Sequence, residues 1–171
     1  NRLEEAGKLD DTVIIISGDH YPYGLTLDEL NELSDYKKDD TFEKHRMSLL
    51  IWNNQMKQPV KVEKVASSLD IIPTVLNLFG VSFDSRLLMG TDLLSDSEGL
   101  VIFSNRSFIT SKGRYSSLTK KFVGEEVDEN YVDNISKIIY NKYQMSRLIL
   151  ENDYYRILFD NAVYLNETSS N

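Results

Sequence analysis

The chain predicts an α/β unit with a mixed sheet, followed by a small antiparallel meander and a long helix. Three observations carry that prediction. Two apolar runs, Thr12–Ser17 and Met47–Trp52, are too short for typical helices and read as buried strands. A segment near Ile71–Phe79 carries apolar residues at helical spacing, so strands alternate with an amphipathic helix. Beyond residue 100, short runs broken by turn signals lead into a long stretch of helical periodicity.

Taken in order, Arg2 to Leu9 reads as the end of a helix that stops near Gly7. The β-branched run Thr12–Ser17 has the continuous apolar character of a strand covered on both faces, as in a parallel sheet. Gly18 lets the chain turn, and Tyr21-Pro22-Tyr23-Gly24 is turn-rich. Thr26 can cap a helix from Leu27 to about Leu33, with Asp28 and Glu29 in its first turn. Asp35 to Glu43 is charged and reads as a solvated loop, with a lid as the sharper alternative. Val60 to Val65 alternates and predicts a short half-exposed strand. Asp70 can cap the next helix, Pro73 falls in its first turn, and Gly80 ends it. Ile72, Val75, Leu76 and Phe79 make its expected buried stripe.

Leu100–Phe103, Ser107–Thr110 and Tyr115–Leu118 predict the meander, with Ser111-Lys112-Gly113-Arg114 as a hairpin connection. The acidic stretch Glu125–Asn130 suits the N-terminus of a helix running from about Tyr131 to Leu150. Tyr131, Ile135, Ile138, Met145 and Ile149 form its apolar face. Asn152–Phe159 predicts a closing strand, and Glu167–Asn171 a frayed tail. The expected organisation is a core portion over residues 1–100 and an antiparallel subdomain with the long helix over 101–171.

At 171 residues and 41% hydrophobic content the chain can bury a core. Its net charge of −8 argues against nucleic acid as a partner and against docking on an anionic membrane through this segment. No apolar stretch is long enough to span a bilayer. The absence of cysteine excludes disulfides, a thiolate zinc site and a cysteine-derived nucleophile within these residues. It also suits a protein exported by a Gram-positive bacterium.

The chemistry concentrates at Asp19 and His20. The order strand, Gly18, Asp19, His20 places one oxygen and one nitrogen ligand at a strand's carboxyl end, where α/β sheets gather their chemistry. The plainer alternative is a surface polar pair. His20 is one of only two histidines, the other being His45, which sharpens the metal reading. An oxygen and nitrogen donor set without sulfur suits Mn²⁺ or Mg²⁺, with Zn²⁺ also compatible.

Asp11-Thr12-Val13-Ile14-Ile15-Ile16-Ser17-Gly18-Asp19-His20-Tyr21 resembles the metal-binding segment of sulfatase-like enzymes of the alkaline phosphatase superfamily. It is most similar to the lipoteichoic acid synthases and related phosphoglycerol transferases. Ser68–Gly80 resembles their Asp-x-x-Pro-Thr helix through Asp70, Pro73 and Thr74. Leu88-Met89-Gly90-Thr91-Asp92-Leu93-Leu94 and Asn105-Arg106-Ser107-Phe108-Ile109-Thr110 resemble two further family segments in the same order. Tyr21-Pro22-Tyr23 departs from the Tyr-Gly pattern that follows the Asp-His pair in the most familiar lipoteichoic acid synthases.

The resemblance implies a partial alkaline-phosphatase-like sandwich and the C-terminal part of a larger catalytic domain. It implies that a nucleophilic Thr and an acidic metal ligand lie upstream of these residues, so this segment holds part of a metal shell and no nucleophile. The implied activity is transfer of glycerol phosphate from phosphatidylglycerol, a lipid-linked substrate, through a covalent Thr intermediate. The implied place is the extracellular face of a bacterial membrane, with the anchor upstream. Tyr21, His45 and Arg46 are the expected substrate contacts, Arg46 because a guanidinium can pair a phosphate bidentately. A solvated strand start is the simpler reading of His45 and Arg46, and turn packing that of Tyr21. The competing functions are hydrolysis of a sulfuric or phosphoric ester, and a non-catalytic interaction domain. A segment separated from its domain would leave a strand edge open, which predicts that it associates with the missing half or with itself.

Overall fold

The computed structural model describes residues 2–160, which divide into two compact units, one up to Lys61 and one from Val62. The tail expected at Glu167–Asn171 lies outside the described residues.

In the first unit a short helix, α1 (Arg2–Glu5), ends where Gly7 takes a left-handed φ of 61°. The apolar runs then form β1 (Val13–Ser17) and β2 (Leu49–Asn53). They pair antiparallel, with Val13 opposite Asn53 and Ser17 opposite Leu49. The cross-strand pairs Ile14–Trp52 and Ile16–Leu50 share one face of this ribbon and stay exposed. Val13, Ile15, Leu49 and Ile51 on the other face are half-buried. The apolar runs predicted strands buried on both faces of a parallel sheet. Strand composition reports burial and pleat rather than the direction of the partner, so the pairing was not legible there.

Between the two strands, α2 (Leu27–Glu32) starts with a capping box. The Thr26 hydroxyl accepts from the Glu29 backbone N–H at 3.3 Å, and the Glu29 carboxylate accepts from the Thr26 N–H at 2.7 Å. This reciprocal bond is also why the Glu29 carboxyl is held below its ordinary value. The charged stretch that follows is tethered. Asp39 Oδ1 accepts from the N–H groups of Thr41, Phe42 and Glu43, and Phe42 is buried. The Lys38 ammonium donates to the Tyr36 hydroxyl at 2.7 Å and the Glu43 carbonyl at 3.2 Å.

In the second unit, α3 (Ile71–Leu78) follows a 3₁₀ turn at Ser68–Asp70. Asp70 is almost fully buried and both its oxygens are used. Oδ2 accepts from the Ser67 N–H and Oδ1 from the Thr91 N–H, each at 2.7 Å. The Thr74 hydroxyl donates to the Asp70 carbonyl at 2.6 Å and accepts from the Leu93 N–H at 2.9 Å. One turn on, Asn77 donates to Asp92 at 2.6 Å. Gly90 admits this approach, because a Cβ there would strike the Leu69 carbonyl and the Asp70 nitrogen.

These polar ties set the rotation of α3. Asp70, Thr74 and Asn77 face the 90–93 segment and Pro73 is buried, whereas Ile72 and Phe79, expected in a buried stripe, are 60% and 58% exposed. Residues 60–65, expected as a short strand, hold no strand.

The meander forms with one strand more than its three expected runs, in the order β3 (Leu100–Ile102), β4 (Phe108–Thr110), β5 (Gly113–Ser116), β6 (Lys121–Gly124), all antiparallel, and β5 begins at Gly113 rather than Tyr115. Ser111-Lys112 connect the β4–β5 hairpin. The long helix α4 (Tyr131–Glu151) docks through Tyr131, whose hydroxyl donates to Thr110 at 2.9 Å and whose ring meets Phe122 edge-on. Phe108 and Ile139 are essentially solvent-free. Each such side chain contributes about 1.5–3 kcal/mol by leaving water. The strand expected over Asn152–Phe159 is not found: residues 152–153 form a turn and 154–160 are helical. Arg156 pairs Asp153 at 2.6 Å and Asp160 at 3.6 Å, the i−3 and i+4 spacings that suit a helix. Among the described residues both sheets are antiparallel, so the α/β class holds while the mixed pairing is not found in these strands.

Candidate functional site

The first unit brings every residue singled out in the sequence into one neighbourhood except where noted below. β1 runs out at Ser17 and the chain passes through Gly18. Met47 lies against Gly18 closely enough that a Cβ would run into its sulfur, so glycine fits this crossing without displacing that side chain. Asp19 and His20 follow at the strand's carboxyl end. The Asp19 side chain is 87% exposed and that of His20 46% exposed, so both are open to solvent.

The His20 ring is held in one orientation. Its Nδ1 lies 2.8 Å from the Tyr21 carbonyl oxygen. A carbonyl can only accept, so Nδ1 carries the proton and the lone pair of the neutral ring sits on Nε2. That Nε2 is 3.6 Å from Asp19 Oδ2. Asp19 Oδ1 accepts from the His20 backbone N–H at 2.9 Å, which holds the carboxylate next to the ring. The face of the imidazole is covered by Tyr23, stacked at 4.3 Å between centroids and 8° between planes.

An anionic oxygen and an imidazole nitrogen, adjacent and exposed, fit Mn²⁺, Mg²⁺ or Zn²⁺. The Nδ1–H to carbonyl bond is the outer-shell contact that usually fixes the tautomer of a metal-binding histidine. Among the described residues no group of three or more His, Asp or Glu gathers to hold a metal. Asp19 and His20 therefore offer two ligand positions, and the rest of any shell falls to water, substrate or donors outside these residues.

Tyr21 sits beside this pair, half-buried, with its ring edge-on to Tyr23 at 4.9 Å and to His45 at 5.2 Å. His45 thus reaches the site through Tyr21. Partial burial and the neighbouring Lys44 charge push the His45 imidazole below its ordinary value, so it is neutral near pH 7. It can give or take a hydrogen bond there but brings no fixed charge. Lys44 lies over the Tyr21 ring at 5.2 Å and donates to Asp40 at 2.7 Å, a bond that raises its pKa.

Arg46 is not brought against Asp19 and His20. Its guanidinium lies over the Tyr36 ring at 4.6 Å and 3.6 Å from a Glu43 oxygen, with most of the side chain exposed. Sequence reasoning missed Tyr23 and Lys44. The turn signal Pro22-Tyr23-Gly24 marks this loop, closed by the Leu25 N–H on the Pro22 carbonyl, but carries no sign of the ring that lies over His20.

The sulfatase family model matches residues 1–81. Lipoteichoic acid synthase 2 of Bacillus subtilis is 31% identical over 169 residues, covering 91% of this chain and 25% of that protein. The lipoteichoic acid synthase of Staphylococcus saprophyticus is 35% identical over 120 residues, covering 67% of this chain and 18% of that protein. The chain thus spans a quarter or less of the length of these relatives. The crystal structure of the lipoteichoic acid synthase LtaP from Listeria monocytogenes superposes with a TM-score of 0.58 at 22% identity, over 90% of this chain and 40% of that one.

Proposed function

Because the chain belongs to the sulfatase-like family of the lipoteichoic acid synthases, we propose that it is part of a metal-dependent phosphoglycerol transferase. The observation that carries this reading is the arrangement of Asp19 and His20. They sit at the end of β1, exposed, with the proton fixed on Nδ1 and the free Nε2 beside a carboxylate oxygen.

Asp19 would hold the metal through its carboxylate and His20 through Nε2. A divalent ion bound there, Mn²⁺ or Mg²⁺ in the first instance, supplies Lewis acidity toward a phosphoryl oxygen. The nucleophile and the further acidic ligand come from residues outside this chain. In the reaction, a threonine hydroxyl oxygen bonds to phosphorus while the bond to the diacylglycerol oxygen breaks, and the proton passes to that oxygen. Transfer to the acceptor glycerol hydroxyl reverses the exchange. Within this segment Tyr21 and neutral His45 border the site as hydrogen-bonding groups. Arg46 serves an anionic headgroup on exchanging its Glu43 contact for a phosphate, a charge-assisted pairing of the same kind. The site works at the extracellular face of the membrane. No helix among the described residues is long and apolar enough to cross a bilayer.

The test is turnover of a fluorescent phosphatidylglycerol by the full-length protein. Diacylglycerol release that requires metal and is abolished by Asp19→Ala and by His20→Ala is expected. Release of sulfate from an aryl sulfate, with no action on the lipid, would replace the transferase reading with an ester hydrolase. Metal-dependent turnover by this chain alone, lost in Asp19→Ala, would refute the assignment of the nucleophile to residues outside it.

A further inference from the structure

We propose that Tyr23 is a positioning residue for His20: its stacked ring and the Tyr21 carbonyl together fix the imidazole so that Nε2 faces the Asp19 carboxylate. The inference rests on the metal reading above for its purpose, but its structural content can be measured without metal.

An exposed histidine ordinarily samples several ring orientations, because its terminal torsion is broad. Two contacts of different kinds remove that freedom here. The Nδ1–H bond to the Tyr21 carbonyl, at 2.8 Å, fixes one edge of the ring. The Tyr23 ring, parallel within 8° at 4.3 Å, covers one face. A single hydrogen bond leaves rotation about its own axis, and the stack removes it. What remains open is the Nε2 edge, 3.6 Å from Asp19 Oδ2.

Tyr23 itself is 70% exposed, so its ring does not serve the core. It is held from the side by Tyr21, edge-on at 4.9 Å, and Tyr21 in turn leans on His45 at 5.2 Å. The aromatic row Tyr23–Tyr21–His45 thus buttresses the stack. Ring stacking needs the aromatic face and not the hydroxyl, so phenylalanine should replace Tyr23 and an aliphatic side chain should not.

The experiment uses the full chain at a fixed pH above the imidazole range. Its two histidines make the ring resonances assignable. Without metal, His20 ring protons should show an upfield ring-current shift that persists in Tyr23→Phe and disappears in Tyr23→Leu. The Nδ1–H form should dominate the nitrogen spectrum in the first two proteins and lose population in the third. With Mn²⁺ as the probe, paramagnetic broadening of His20 should need about three- to tenfold more metal in Tyr23→Leu than in Tyr23→Phe. Far-UV circular dichroism of Tyr23→Leu should match the parent, as expected for so exposed a position.

Unchanged His20 shifts and tautomer in Tyr23→Leu would overturn the proposal whatever the metal does. So would altered shifts with equal Mn²⁺ demand in the two variants. A parent protein in which Mn²⁺ never broadens His20, while the ring shift still depends on Tyr23, would sink the metal reading and leave the positioning contact standing.

Discussion

Replacing Thr74 by valine should remove about 2–4 kcal/mol from the stability of the second unit. The side chains are nearly isosteric and Thr74 is 1% exposed, so no cavity contribution enters. What is lost is the hydroxyl. It donates to the Asp70 carbonyl at 2.6 Å, a bond contributing about 0.5–1.5 kcal/mol. It also accepts from the Leu93 N–H at 2.9 Å in a buried setting, and stranding that donor costs about 1–3 kcal/mol. Thr74→Ser keeps both bonds and drops one methyl, a change of about 1 kcal/mol. Urea denaturation followed by far-UV circular dichroism reads this, since α4 lies in the second unit whereas Trp52 lies in the first. With a slope of about 1 kcal/mol per molar urea for a unit of this size, the valine midpoint should fall by about 2–4 M and the serine midpoint by about 1 M. Valine and serine variants that melt together within about 0.5 M would show that side-chain volume, not the hydroxyl, holds this junction.

Gly90→Ala should cost about 3 kcal/mol or more, because its Cβ meets rigid backbone at Leu69 and Asp70, whereas Gly24→Ala has open space around it and should be neutral or stabilising by up to about 1 kcal/mol. Equal melting of these two variants would contradict the close approach at Gly90. The depressed His45 pKa gives a pH slope: stability of the first unit is full above the ordinary imidazole value of about 6.5 and falls as the pH drops through the lower folded value. Trp52-monitored urea midpoints should therefore decline toward acid and flatten in His45→Gln, and a parent slope surviving in that variant would assign it to another group. In the full-length protein, Arg46→Lys should raise KM for phosphatidylglycerol about tenfold with kcat little changed, and Glu43→Gln should lower KM by freeing the guanidinium. Unchanged KM in both would exclude Arg46 from substrate binding.

Signals that act within a few residues were legible in the sequence. Thr26 and Glu29 close a capping box, Ser111-Lys112 turn a hairpin, and the helix beginning at Tyr131 runs almost over the span its periodicity marked. Contacts made across longer separations were not. The stripe Ile72, Val75, Leu76, Phe79 pointed to one face of α3. Hydrogen bonds from Asp70 and Thr74 to a segment about twenty residues on turned Pro73 and Thr74 inward instead. An apolar stripe specifies a helix that could be buried, but paired buried polar groups decide its rotation, because each such group left unpaired costs about 1–3 kcal/mol and a charged one more. The 154–160 stretch failed for the opposite reason. Its aromatic and aliphatic residues favour strands only weakly, and Arg156 with Asp153 and Asp160 supplied local helical pairs.

Two aspartates in motif-like segments, Asp19 and Asp70, show how the same side chain is assigned opposite roles. Asp70 has both oxygens engaged by backbone N–H groups at 2.7 Å and is 2% exposed. The Ser67 and Thr91 hydroxyls also donate to it, at 3.4 and 3.5 Å, so this buried carboxylate is closed to a cation or a substrate and its work is to join α3 to the 90–93 segment. Asp19 spends one oxygen on the adjacent His20 N–H and presents the other, largely in water, beside a ring nitrogen whose proton is fixed elsewhere. Ligand capacity therefore survives only at Asp19. Sequence places both residues in motif segments with equal weight. Counting which acceptor sites are already occupied separates the one that builds the fold from the one that can do chemistry.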